Sequence, residues 1–200
     1  MRRIALAALL ATPLLASAAN LVTNGSFEAD SQAASTWSIY PNLTGWTGGA
    51  AGIELRHNVV GAAQDGVNFV ELDTTRNSDM WQSIGTSLGQ HYTLSFAYAP
   101  RSGVGSASNG IEVFWNGATL GTFTGNGAGN GNAWEIHALE VTGAAAASTL
   151  MFRAVGTSDS LGGSLDTVSL TAAVPEPQTY AMLLAGLMAV GFVARRRRAD

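Results

Sequence analysis

Cysteine is absent from this 200-residue chain, so no disulfide staples the fold. Lysine is absent as well, and arginine supplies all the fixed positive charge. Six of the ten arginines lie in the terminal segments. Between residues 20 and 174, four Arg stand against twelve Asp and Glu, a net charge of −8. That balance excludes a phosphate-binding surface and a nucleic-acid partner. It leaves room for divalent cations. The interior shows no helical periodicity and no repeat at a fixed period. The three histidines, His57, His91 and His137, occur in neither H-x-x-x-H nor H-E-x-x-H spacing, which argues against zinc and Ser/His chemistry.

Both ends carry distinct signals. Arg2 and Arg3 precede an apolar stretch over residues 4–15, and Ala16-Ser17-Ala18 gives a small-x-small pattern. Residues 1–19 therefore read as a secretory signal peptide, cleaved after Ala18 or Ala19. At the other end, Val174-Pro175-Glu176-Pro177 precedes an uncharged run over residues 181–194, then Arg195 to Arg198. The prolines keep the chain extended and end the folded part, so residues 172–179 read as a linker. Residues 180–194 suit a transmembrane helix, and residues 195–200 a basic cytoplasmic end. The apolar run spans only about 21 Å against a ~30 Å hydrocarbon core, so Thr179, Tyr180 and snorkelling arginines must cover the rest.

Twenty-four glycines among many Ser, Thr, Asn and Ala suit a β-rich domain with polar loops. Leu21 and Val22 begin a strand, and Asn24-Gly25 marks a turn or bulge. Residues 29–49 read as a long loop bearing Trp37, Tyr40 and Trp46. Strands are expected over residues 52–57, 67–73, 79–84, 90–99, 110–115, 118–124, 134–141, 149–155 and 165–170. The stretch from residue 90 is the clearest, with Tyr92, Leu94, Phe96 and Tyr98 alternating against Thr93, Ser95 and Ala97 at strict period two. Asn116-Gly117 between two such runs predicts a tight hairpin, because both central residues need positive φ. Residues 20–171 therefore predict an all-β, antiparallel β-sandwich. The Ser/Gly run 102–110 and the Gly/Asn run 125–132 read as loops.

Two resemblances follow from these residues. The order Pro175-Glu176-Pro177, short span, basic end resembles the PEP-CTERM sorting signal of Gram-negative bacteria. That resemblance implies an exosortase-type membrane protease as partner, and export with anchoring at the inner membrane before release to the cell surface or medium. The second rests on Asn24-Gly25-Ser26-Phe27-Glu28, Gly45-Trp46, Asp65-Gly66 before Phe69 to Asp73, Trp81-Gln82, and Leu165-Asp166-Thr167-Val168-Ser169-Leu170. Together they resemble the galactose-binding-like jelly roll of many carbohydrate-binding modules. That implies a jelly-roll sandwich, with a sugar held on it and a structural calcium ion near its first and last strands. Thr167 departs from the second acid or Asn of many relatives.

The chemistry candidates are few. Gly85 to Gly89 matches G-x-S-x-G, but a strand follows where the nucleophile elbow needs a helix, so Ser87 reads as a turn serine. Glu71 and Asp73 share a strand face, whereas a glycosidase pair must flank its substrate. They read as structural or loop-anchoring groups. The chain is accordingly expected not to be an enzyme, with a polysaccharide hydrolase as the rival and a matrix protein without sugar ligand as a third reading. Trp115 and Trp134 alternate with core positions. Trp37 and Tyr40, in the expected loop, are the better sugar-stacking candidates, and Arg101 could also reach a ligand, although an exposed loop charge is the commoner role. For the calcium ion, period two puts Asp166 on the face of Val168 and Leu170, an inward carboxylate that needs a partner. A hard cation would supply it, with Glu28 as second ligand by resemblance. The alternative is that Asp166 caps a turn through nearby N–H groups.

Overall fold

The computed structural model describes residues 19–127, 129–173, 184–188, 191 and 195–196. The residues before 19, where a signal peptide is expected, together with Pro175, Glu176, Pro177 and most of the apolar run, lie outside the described residues. Residues 184–188 are helical. Among the described residues, no helix is long and apolar enough to cross a membrane.

Ala19–Ala173 is one compact unit. Its strands are β1 (Trp37–Tyr40), β2 (Asn42–Leu43), β3 (Trp46–Gly48), β4 (Ile53–His57), β5 (Asn68–Glu71) and β6 (Asp79–Gly85). They continue with β7 (His91–Ala99), β8 (Gly110–Trp115), β9 (Ala118–Phe123), β10 (Glu135–Thr142), β11 (Ala147–Val155) and β12 (Ser164–Ala172). Two antiparallel sheets form, in the orders β1-β4-β5-β12-β7-β10 and β2-β3-β6-β11-β8-β9. The result is the all-β, antiparallel sandwich that the spacing of strand and turn signals predicts.

The core lies between the sheets and follows from period two. Tyr92, Leu94, Phe96 and Tyr98 of β7 face Leu150, Phe152 and Ala154 of β11 and Ile111 and Val113 of β8 within one buried cluster. Phe96 and Phe152 meet edge to face at 5.3 Å, and Trp46 lies 6.1 Å from Phe152. Each fully buried Phe contributes about 1.5–3 kcal/mol of transfer free energy. Asn116 and Gly117 join β8 to β9 with φ of 51° and 80°, the positive pair a primed hairpin turn requires.

The N-terminal segment departs from expectation. Leu21 and Val22 form no strand. Instead the Asn20 side chain occupies a ladder position, its Oδ1 accepting from the N–H groups of Leu170 and Val22 at 2.9 and 3.0 Å. The Leu21 N–H reaches the Leu170 carbonyl at 2.9 Å. Gly25 then packs directly on the Val168 carbonyl, where no Cβ fits. Residues 29–49 are not one long loop either, since β1, β2 and β3 lie within them. These strands are two to four residues long, too short for an alternation to register in the sequence.

The last strand holds a second correction. The β12–β7 register shifts between Asp166 and Ser169, and Thr167 sits at φ 48°. This bulge breaks the period. Leu165, Val168 and Leu170 all face the core, so Asp166, next to Leu165, faces the other way.

Candidate functional site on the outer face of the first sheet

Cross-strand register lines up the side chains that point away from the core on the first sheet. One row runs Ile39, Glu54, Glu71, Ser164, Ala99. Beside it Trp37 pairs with Arg56, which pairs with Phe69, and Asp166 pairs with Ala97. Their chain neighbours Ile53, Leu55, Val70 and Leu165 are core residues. An outer sheet face is ordinarily solvated, yet Glu54, Arg56, Phe69, Glu71, Ser164 and Asp166 are all buried. Loops cover them. Trp134 stands edge-on to Phe69 at 5.7 Å and donates its indole N–H to the Ala62 carbonyl at 2.9 Å.

Two arginines and two glutamates form a network under this cover. Arg56 donates through Nε and Nη2 to Glu54 Oε1, each at 2.7 Å, and Nη2 also reaches Glu71 Oε2 at 2.7 Å. Arg101 Nη1 lies 3.2 and 2.9 Å from the two Glu71 oxygens and 3.3 Å from the Ser160 carbonyl. The Gly162 N–H donates to Glu71 Oε1 at 2.8 Å. Burial pushes the Glu71 carboxyl up to about 7 against the opposing pull of Arg56 and Arg101. Burial also raises Glu54, again opposed by Arg56. Arg101 is therefore no exposed loop charge. Its side chain is 17% exposed and committed to Glu71.

Other carboxylates fix loops. Asp73 accepts the N–H groups of Asp159 and Ser160 at 2.9 Å and of Leu161 at 3.3 Å, the loop-anchoring role expected of it. Asp166 Oδ2 accepts the N–H groups of Gln64 and Asp65 at 2.8 and 3.0 Å, and Oδ1 that of Thr167 at 2.6 Å. Burial raises Asp166 to about 6, with those N–H bonds pulling the other way. Glu28 Oε1 accepts from Val67 and Asn68 at 2.8 and 2.6 Å. Glu28 and Asp166 thus hold the same segment, 64–68.

Among the described residues, no group of three or more His, Asp or Glu could hold a metal ion. One feature nevertheless fits a cation. The buried Asn68 Oδ1 has no hydrogen-bond partner. Asn68 lines a 270 Å³ cavity together with Glu28, Asp30, Gln32 and His57.

Trp37 is 53% exposed on β1, with Ile39 on the same outer face. Tyr40 lies on the opposite face of β1, packs against the core and donates its hydroxyl to Gln32 Oε1 at 2.9 Å. The two aromatics therefore lie on a strand rather than in a loop, and form no common platform. Trp46 and Trp115 are core residues, whereas Trp134 is half-buried as part of the cover. Sequence reasoning missed Glu54 and Arg56, whose alternation with Ile53 and Leu55 looks like an ordinary solvated face.

Residues 173–198 match the PEP-CTERM protein-sorting motif. The chain thus carries a sorting signal of exported proteins at its C-terminal end. It is 31% identical over 156 residues, 77% of this chain, to the multifunctional-autoprocessing repeats-in-toxin of Vibrio cholerae. The Vibrio vulnificus protein of that name is 32% identical over 157 residues, 76% of this chain. The chain spans 3% of the length of each of these curated relatives. Among solved structures, it resembles the Stig cyclase FisC of Fischerella sp. TAU, with a TM-score of 0.56 and 14% identity, over 80% of this chain and 100% of that one. It also resembles a family 35 carbohydrate-binding module from Clostridium thermocellum, with a TM-score of 0.45 and 14% identity, over 69% of this chain and 99% of that one.

Proposed function

We propose that this chain is an exported, non-catalytic surface or extracellular-matrix protein whose sandwich associates with polysaccharide. The match to the sorting motif over residues 173–198 carries this reading. An exosortase-type protease is the partner that would read it. Residues 180–194 would hold the protein in the inner membrane until it is processed. Deleting residues 173–200 tests the sorting step. Identical partition of deleted and full-length protein between cells and medium would refute it.

Trp37 supports the ligand class. An exposed indole face stacks on apolar sugar C–H groups, and its cross-strand neighbour Arg56 is held rigidly by two glutamates. The same network supports the absence of catalysis. Glu71 has a carboxyl raised to about 7, which suits a general acid. However, arginines occupy both its oxygens and it is fully buried, so no glycosidic oxygen reaches it. A glycan array with the Trp37→Ala variant tests the ligand. Binding that Trp37→Ala removes is the expected result; turnover of any glycan would overturn the non-enzyme reading, and a blank array would leave a structural matrix protein.

A structural calcium ion is part of the proposal. Of the two expected ligands, Asp166 is committed to the N–H groups of Gln64, Asp65 and Thr167, so Glu28 and the unpartnered Asn68 Oδ1 would hold the ion. A bound ion would give the buried, unpartnered Asn68 Oδ1 a hard-cation partner beside the exposed Glu28 carboxylate.

A further inference from the structure

The open side of the sandwich, between the outermost strands β9 and β10, holds a cavity of 190 Å³. It is lined by Tyr98, Thr122, Phe123, Thr124, Glu135 and His137. Register turns Glu135 and His137 inward, opposite Tyr98 and Phe96. The His137 ring packs 4.4 Å from Phe123 and 5.5 Å from Phe96. Its Nε2 is buried and has no hydrogen-bond partner. Glu135 Oε2 lies 3.9 Å from that nitrogen, too far for a hydrogen bond. Tyr98 donates its hydroxyl to the Asn109 carbonyl at 2.8 Å, so what it offers the cavity is its ring.

We propose that this cavity binds the ammonium group of an amino sugar, a hexosamine unit without its N-acetyl group. The inference rests on the polysaccharide reading above and narrows it. Two acceptors 3.9 Å apart take one ammonium nitrogen at about 2.8 Å from each, the usual length of a charge-assisted bond. The neutral imidazole accepts at Nε2 when its proton sits on Nδ1. A zinc ion at about 2.0–2.2 Å from both would open the angle between the two ligands to about 125–155°, wider than its tetrahedral preference. The Phe123 and Tyr98 rings suit both the cation and the sugar C–H faces. No arginine pairs with Glu135 among the described residues: Arg56, Arg101 and Arg153 pair with Glu54, Glu71 and Glu112. The acidic, lysine-free domain attracts a cationic glycan at long range. The volume is below the ~300 Å³ of pockets for drug-sized ligands, so it takes a single ring.

The test is calorimetric titration of the purified full chain at pH 7 with a β-1,4 glucosamine disaccharide, its N-acetylated form and cellobiose. The free-amine sugar should bind at least tenfold more tightly than either. Glu135→Gln should lose that preference at an unchanged melting temperature, since the Glu135 side chain is 73% exposed. His137→Phe, which keeps the ring packing, should lose it too. Equal binding of the three sugars, an unaffected Glu135→Gln variant, or equally tight binding of cyclohexylammonium would each overturn the assignment. Neutral glycans bound without amine preference, and lost in Trp37→Ala, would sink this proposal and leave the polysaccharide reading standing. No glycan bound at all would sink both.

Discussion

Replacing Arg101 by Met perturbs the covered network at its most accessible member. The side chain would keep its length and apolar stem, and lose the charge that sits 2.9 Å from Glu71 Oε2. Breaking a buried ion pair costs about 3–5 kcal/mol when the remaining charge is uncompensated. Here Arg56 still pairs with Glu71 at 2.7 Å, so the low end applies, about 3 kcal/mol. For a domain of this size each kcal/mol moves the melting temperature by about 2–4 °C, which gives a fall of about 9 °C. The loss depends on pH. The wild-type Glu71 carboxyl is raised from 4.5 to about 7, so the folded state holds its proton more tightly than the unfolded state. That contribution is fully present below about pH 4.5 and is lost as pH rises through about 7. Removing Arg101 raises the carboxyl further, so the variant goes on losing stability above pH 7. The gap between the two proteins should be small at pH 5 and widen towards pH 8.5. Thermal melting followed by circular dichroism across that range is the assay. Glu71→Gln in the same series should flatten the pH dependence. An Arg101→Met protein that melts within 2 °C of wild type at pH 8.5, or a gap constant from pH 5 to 8.5, would refute the reasoning.

Gly25→Ala should cost about 3 kcal/mol, the upper range for overpacking, because the new Cβ collides with the Val168 backbone; chemical denaturation would show it as a lower midpoint at unchanged slope. Calcium should raise the melting temperature of the full chain in a concentration-dependent way relative to chelator, and Asn68→Ala should abolish the response; identical melting in both conditions would remove the metal. Asp73→Ala should release the 159–161 segment and open it to limited proteolysis while the sheets stay intact; an unchanged digestion pattern would count against the anchoring role. Gly117→Ala should destabilise by about 1 kcal/mol or more, since φ is 80° there, and an unchanged midpoint would contradict the primed turn.

The sandwich was legible from β4 to β12, where turn signals bound each run. In β7 and β11 the alternation is written in the side chains, and the Asn116-Gly117 hairpin carries its own turn chemistry. The bulge at Thr167 was not legible, because nothing in Asp166-Thr167-Val168 marks a left-handed residue in mid-strand. One shifted residue turned Asp166 from an inferred core carboxylate into an outward one. The covered face was hidden for a related reason. Period two tells which side chains leave the core, not which of those a loop then buries. Trp134 showed the alternation of a core residue, but it packs on Phe69 as part of that cover.

The composition and the covered face have a common explanation. With no cysteine to close its loops, the domain fixes them through carboxylates that accept backbone N–H groups. Asp30 takes the Thr44 N–H at 3.0 Å, Glu28 takes two from segment 67–68, Asp166 takes two from segment 64–65, and Asp73 takes three from segment 159–161. Such charge-assisted bonds are roughly twice as strong as neutral ones. A single carboxylate oxygen here accepts from consecutive N–H groups, which lysine or arginine, lacking acceptors, cannot do. The acidic excess is thus in good part structural. Glu135, 73% exposed at the open side of the sandwich, accepts no loop N–H among the described residues, which is why the ligand test above turns on it.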